Sequence, residues 1–153
     1  MGRMHGRRAA ALMPILAIAV ALTGCASAAS TFDDAVGQGI AAVETARLAV
    51  DQQLDGRTFD TTAITTLGDA RRELVAASTT VSQTDASTAA DAALRADVLA
   101  ALTDGVEAVN DARDAMAGIG ALEEVVPELE QAADELEALE TRTAASADAG
   151  GAS

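Results

Sequence analysis

The feature that most constrains this chain is a recurrence of apolar residues at steps of three and four, carried almost without aromatic side chains. In its clearest stretch Leu94, Val98, Ala101, Gly105, Val109, Ala112 and Met116 form one stripe, widened by Leu99, Leu102 and Val106. That spacing is the period of an α-helix, so it predicts a helix from about Thr88 to Met116 with one buried face. Three more segments repeat the pattern. Phe32, Val36, Ile40, Val43, Val50 and Leu54, with Ala46 filling the gap, predict a helix N-capped by Ser30 or Thr31, with Asp33 and Asp34 at its positive end and Gly56 as its stop. Leu67, Leu74 and Val81 recur every seven residues, with Ile64, Ala70 and Ala77 between them, and predict a helix from about Asp60 to Val81. Its threonines (Thr61, Thr62, Thr65, Thr66) lower helix propensity and leave its start loosely defined. Leu122, Val125, Leu129, Leu136 and Leu139 predict a fourth helix that runs to about Thr143, with Pro127 either starting or kinking it.

Ser82–Ser87 and Gly118-Ile119-Gly120 separate these segments, and no stretch alternates with the two-residue period of a strand. The expected fold is all-α, an antiparallel four-helix bundle, with a looser helical-hairpin array as the alternative. Alanine and glycine on the inner stripes permit close helix approach.

Charge narrows the possible partners. The 153 residues include 24 acidic side chains against 10 basic ones, all arginine. Every acid follows Cys25, while Arg3, Arg7 and Arg8 precede it, so from Cys25 onward seven arginines face 24 acids, a net charge of −17. Such a surface repels nucleic-acid phosphates and anionic headgroups, which argues against a nucleic-acid partner. Large apolar residues are few enough to border on the composition of disordered chains, so the periodicity carries the case for folding. Arginine without lysine, beside abundant alanine, fits G+C-rich coding as in an actinobacterium; the acidic surface of a halophile fits as well.

The N-terminus reads as an address. Met1–Arg8 is short and basic, and Ala9–Thr23 is apolar but shorter than the roughly 20 residues that span a bilayer. Leu22-Thr23-Gly24-Cys25 follows. This order resembles the signal peptide and lipobox of bacterial lipoproteins. The resemblance covers about the first 25 residues and implies a small envelope lipoprotein. In such a protein Cys25 carries a diacylglyceryl group with palmitate-type chains, and Leu22, Thr23 and Gly24 form the recognition site of the signal peptidase that cuts before Cys25. The product sits at the extracytoplasmic face of the cell membrane, where two acyl chains give stable anchoring. Ala26-Ser27-Ala28 also fits an ordinary cleavage site that would release a secreted protein, and an uncleaved anchor is a third arrangement. Arg7-Arg8 lacks the flanking residues of twin-arginine export. The expected organisation is a signal peptide at 1–24, the lipidated Cys25 and a short tether at 25–30, an acidic helical domain at 31–143 and a disordered tail at 144–153.

The side chains absent after Cys25 bound the chemistry. The only histidine is His5, and no His, Lys, Tyr, Trp or second Cys follows Cys25. A nucleophile–histidine pair and an imidazole or thiolate metal site are therefore out of reach, and no catalytic residue, metal site or cofactor is expected. Carboxylates remain. Asp97, Asp104, Glu107, Asp111 and Asp114 fall within an arc of about 100° on the third helix, roughly opposite its apolar stripe. The fourth helix carries Glu123, Glu124, Glu128, Glu130, Asp134, Glu135, Glu137 and Glu140 with no basic residue among them. These read first as solvated faces. The alternative is a low-affinity site for a divalent cation such as calcium, although no loop has the spacing of a dedicated calcium site. A carboxylate-pair enzyme ranks third. Gly37-x-Gly39 lies within a helical pattern and is no nucleotide loop. The expected function is a non-enzymatic, membrane-anchored helical module for binding or spacing, its partner an envelope protein or a cell-wall polymer.

Overall fold

The computed structural model describes residues 28–151. Four helices make up most of it: α1 Ala28–Leu54, α2 Asp60–Gln83, α3 Ala89–Met116 and α4 Val126–Gly151, with a single 3-10 turn at Leu122–Glu124 before α4. The expected all-α bundle is what forms.

Its register follows from which residues meet. Asp33 and Gly39 on α1 meet Thr143 and Leu136 on α4, so numbers rise along one helix as they fall along the other. Arg71 and Leu74 on α2 meet Asn110 and Gly105 on α3 in the same opposed sense. Helices adjacent around the bundle are therefore antiparallel, whereas α1 and α3, which meet through Gly39 with Leu102 and Val43 with Gly105, run parallel. α1 also touches α3 across the bundle, whereas α2 and α4 do not meet.

That lopsided cross-section is written in the heptads. On α2 the buried residues are Ala63, Leu67, Ala70, Leu74, Ala77 and Val81, a strict two-in-seven seam that alternates small and large. On α1 they are Ala29, Phe32, Ala35, Val36, Gly39, Ala42, Val43, Ala46, Ala49 and Val50, three in every seven. The wider stripe suits a helix with three neighbours, the narrow one a helix with two. Gly39 and Gly105 let the helices close up. A Cβ on Gly39 would stand 2.7 Å from Leu102 and 3.3 Å from Leu136, and one on Gly105 would stand 3.3 Å from both Leu74 and Val43.

The helix ends follow local chemistry. Gly56, at φ +64°, closes α1: its N–H donates to the Gln53 carbonyl, and that of Arg57 donates to Gln52. Gly118, at φ +86°, closes α3 in the same way, with its N–H on Ala115 and that of Ile119 on Asp114. Both are Schellman motifs, in which glycine takes the left-handed position that a side chain would strain. Thr88 caps α3 with a reciprocal box, its hydroxyl accepting from the Asp91 N–H while the Asp91 carboxylate accepts from its own. In α2 the threonines that weaken propensity turn their hydroxyls back onto carbonyls one turn earlier, Thr65 on Thr61 and Thr66 on Thr62, and the helix begins at Asp60 as expected.

Three expectations are corrected. α1 starts at Ala28, so Ser30 and Thr31 lie inside the helix instead of capping it, and residues 28–30 belong to α1 and not to a tether. α4 continues through the expected disordered tail to Gly151, because Ala144, Ala145, Ala147 and Ala149 are the best helix formers and nothing stops them before the final glycines. Ile64 is 42% exposed, and its neighbour Ala63 occupies the seam instead. Of the two roles expected of Pro127 the first holds: it lies in the first turn of α4, where its missing N–H has no partner to lose, so it starts the helix and does not kink it.

Among the described residues, direct polar ties cross the seams between adjacent helices. Gln53 donates to Asp60 (2.6 Å) between α1 and α2, and Arg71 to Asn110 (3.0 Å) between α2 and α3. Arg142 donates to Asp97 (2.7 Å) between α4 and α3, and the fully buried Thr143 to Asp33 (2.6 Å) between α4 and α1. Apolar seams of similar alanines slide easily; such ties specify one register.

Candidate functional site

Leu22, Thr23, Gly24 and Cys25, the residues of the expected lipidation site, lie outside the described residues, as do the rest of the signal segment and the last two residues of the chain. What the structure describes begins at Ala28, three residues beyond Cys25 in the chain. The bundle end that holds the start of α1 also holds the 84–88 loop and the end of α4; it is the proximal end. The distal end, about 40 Å away along helices of this length, holds the loops 55–59 and 117–125.

Along the side, the acidic residues of α3 and α4 come together. Asp104, Glu107 and Asp111 face Glu128, Gln131 and Glu135 across an open groove floored by Ala108 and Ala132. Asp104, Glu107 and Asp111 of the exposed α3 arc thus border the seam with α4. The pattern of α3 alone did not show on which side α4 would pack. The groove holds no cation among its side chains; Gln131 donates to Glu135 (2.9 Å) within α4. Asp97 stands apart from it and is paired with Arg142, and Asp114 lies at the distal end of α3. Among the described residues no three acids converge closely enough to hold a metal ion. Between α1 and α2 the distal stretch of the groove is neutral, lined by Thr45, Leu48, Gln52, Thr58, Thr62 and Thr66 around Ala49 and Ala63, and further along Asp69 and Glu73 stand on its α2 bank opposite Gln38.

Three of the arginines are spent locally. Arg47 pairs with Glu44, Arg57 with Asp55 and Arg72 with Asp69, each within its own helix or loop. Arg95 donates to the Thr84 carbonyl, and Arg113 forms no ion pair among the described residues.

The distal end carries what the sequence pattern passed over. Phe59 is 83% exposed and Ile119 68% exposed, the two most exposed large apolar side chains of the described chain. Phe59 occupies the N-cap of α2, where no side-chain cap bond forms. Ile119 follows the left-handed Gly118 and precedes Gly120. The available signals were a phenylalanine immediately before a helix start and an isoleucine between two turn glycines. Among the described residues no helix is long and apolar enough to cross a membrane. Compared with protein-family models, with curated proteins and with solved structures, the chain matches none.

Proposed function

We propose that this chain is a non-enzymatic envelope lipoprotein that is anchored through a diacylglyceryl group on Cys25 and presents its helical bundle as a binding or spacer module at the extracytoplasmic face. The observation that carries the reading is the order of its parts. A basic start and an apolar stretch lead into Leu22-Thr23-Gly24-Cys25, and a helical bundle begins three residues later. Three residues reach at most about 10 Å when extended, so a bundle attached at Cys25 would stand close to the membrane by its proximal end. Its interior of alanine, valine and leucine, and the lack of His, Lys and Tyr beyond Cys25, support a structural or binding role over catalysis.

The test is Cys25→Ser with metabolic labelling by a palmitate analogue. The reading expects the wild-type chain to carry label and to fractionate with membranes, and the variant to lose label and either remain uncut or leave the membrane. A variant that still labels and stays membrane-bound would sink it.

A further inference from the structure

Among the described residues, five of the six exposed large apolar ones (Leu48, Leu54, Phe59, Ile64 and Ile119) lie in the half of the bundle away from the start of α1, and the two most exposed sit on the two distal loops. The proximal loop, Thr84–Thr88, carries none.

Neither distal residue is there for local stability. A helix N-cap favours Ser, Thr, Asp or Asn, whose oxygen can accept a free N–H; Phe59 supplies none. In a Schellman motif the residue after the left-handed glycine usually rests on an apolar side chain one turn back. For Ile119 that position is Asp114, which takes the Ile119 N–H on its carbonyl but offers no apolar seat. Both backbones are nonetheless fixed. The Phe59 carbonyl accepts from Thr62 (2.8 Å) and Ala63 (3.1 Å), and the Ile119 N–H is held at 2.8 Å. Two rigid apolar prongs that break local rules at one end of a molecule are the pattern of a recognition surface.

The charge around them selects the occupant. Asp55, Asp60, Glu123 and Glu124 flank the prongs in the chain against a single arginine, Arg57, which pairs with Asp55, so the excess is still acidic. With a net charge of −17 beyond Cys25, a second copy and an anionic lipid surface are both repelled. We propose that the distal tip, Phe59 and Ile119 within this acidic rim, is the surface that receives a protein partner, and that the partner presents an apolar recess ringed by basic side chains. The proposal deepens the reading of the chain as a binding module and makes the bundle a strut that holds its docking tip away from the anchor.

The test places the photoreactive residue p-benzoylphenylalanine at position 59, 119 or, on the proximal loop, 86 in the full chain, in the cells that natively make it. Expected are discrete protein adducts from positions 59 and 119, both containing the same basic protein by mass spectrometry, and no such adduct from position 86. Phe59→Ser and Ile119→Ser should then weaken binding of that purified partner about tenfold or more. Phe59→Ser should do so while its melting temperature holds or rises, because serine restores a cap. An adduct of the size of two copies, adducts with lipid alone, different proteins at the two positions, equal capture at position 86 or no adduct would each overturn the proposal. So would variants that bind as well as the wild type. Lipid labelling of Cys25 in the same cells reads the anchor separately: an unlabelled chain that still gives the adduct would refute the anchor and leave the tip intact.

Discussion

The first hairpin, α1–α2, and the second, α3–α4, share one heptad logic and differ in what covers it. Residues 28–83 hold eight acids and four arginines, and residues 89–151 hold fifteen acids and three arginines. The outer groove of the first is threonine, leucine and glutamine distally, with Asp69 and Glu73 on one bank further along; that of the second is carboxylate on both banks. The difference teaches that the apolar seam and the charge pattern are separate instructions. The seam fixes which helices pair, and it tolerates a net charge of −12 on one half beside −4 on the other. Charge of that density opposes compaction without redirecting it.

If the two layers are independent, the interior should not register the charge. Leu74 on α2 and Leu136 on α4 are both fully buried. Leu74→Ala and Leu136→Ala should each destabilise by about 2–5 kcal/mol in denaturant unfolding, with similar losses for the two hairpins. A Leu136→Ala loss far larger than that of Leu74→Ala would show that the acidic half is held only by its core, and the separation would fail.

The next effect belongs to the surface alone. Reversing two charges on α4, Glu128→Arg with Glu135→Arg, places cations opposite Asp111 and Asp104 across the groove. Relief of repulsion plus two exposed pairs should stabilise by about 1–2 kcal/mol at low salt. Sodium chloride should raise the melting temperature of the wild-type chain and raise that of the reversed chain less, because salt screens what the substitutions have already removed. On the first hairpin, Asp69→Arg should stabilise little or not at all, since it removes the partner of Arg72. Equal gains from both hairpins would erase the comparison.

A smaller contrast lies inside the first hairpin. Gly37 and Gly39 stand two apart on α1, and a Cβ on Gly37 would meet nothing within 4 Å. Gly37→Ala should therefore stabilise by about 1 kcal/mol through helix propensity. Gly39→Ala gains the same propensity but pushes its Cβ into Leu102 and Leu136 in a packed interior, which costs about 1–3 kcal/mol. Opposite signs in matched thermal melts are expected. A stabilising Gly39→Ala would mean that Leu102 turns aside easily.

Much of this architecture was legible from spacing. The periodic stripes located all four helices, and Gly56 and Gly118-Ile119-Gly120 marked two of their ends, because a left-handed cap needs glycine and declares itself. What spacing could not fix was how many neighbours each helix has. Ile64 looked like a seam residue only until α2 proved to need two positions in seven, filled by Ala63 and Leu67. The α4 tail was misread because its small residues resemble a linker in composition, although alanine is the strongest helix former. The Thr88-x-x-Asp91 cap sits where spacing put the start of α3, although periodicity and not the capping motif located it. At the site level, the carboxylates were visible but the facing of α3 and α4 was not, since it depends on where the fourth helix docks. Phe59 and Ile119 carry no periodicity, so a reading built on periodicity passes over them.

The smallest expected effect tests the comparison most finely. Arg142 and Asp97 tie α4 to α3 at 2.7 Å, and both side chains are about half exposed. In neutral surroundings, deleting either partner of such a pair would cost about the same, within the 0.2–1 kcal/mol of exposed ion pairs. Here the surroundings are not neutral. Arg142→Gln removes one of three cations from a hairpin with fifteen acids and leaves Asp97 to face them alone. Asp97→Asn removes the same pair but also removes one unit of the excess negative charge, which offsets part of the loss. Arg142→Gln should therefore be the more destabilising of the two by a few tenths of a kcal/mol at low salt, and the gap should close as salt approaches 1 M, where the screening length falls to about 3 Å. Because the difference is small, it is best read as the salt dependence of paired melts rather than as one value. If the two variants melt together at every salt concentration, the excess charge of the second hairpin does not reach its proximal end, and the contrast between the hairpins is confined to the groove between Asp104 and Glu135.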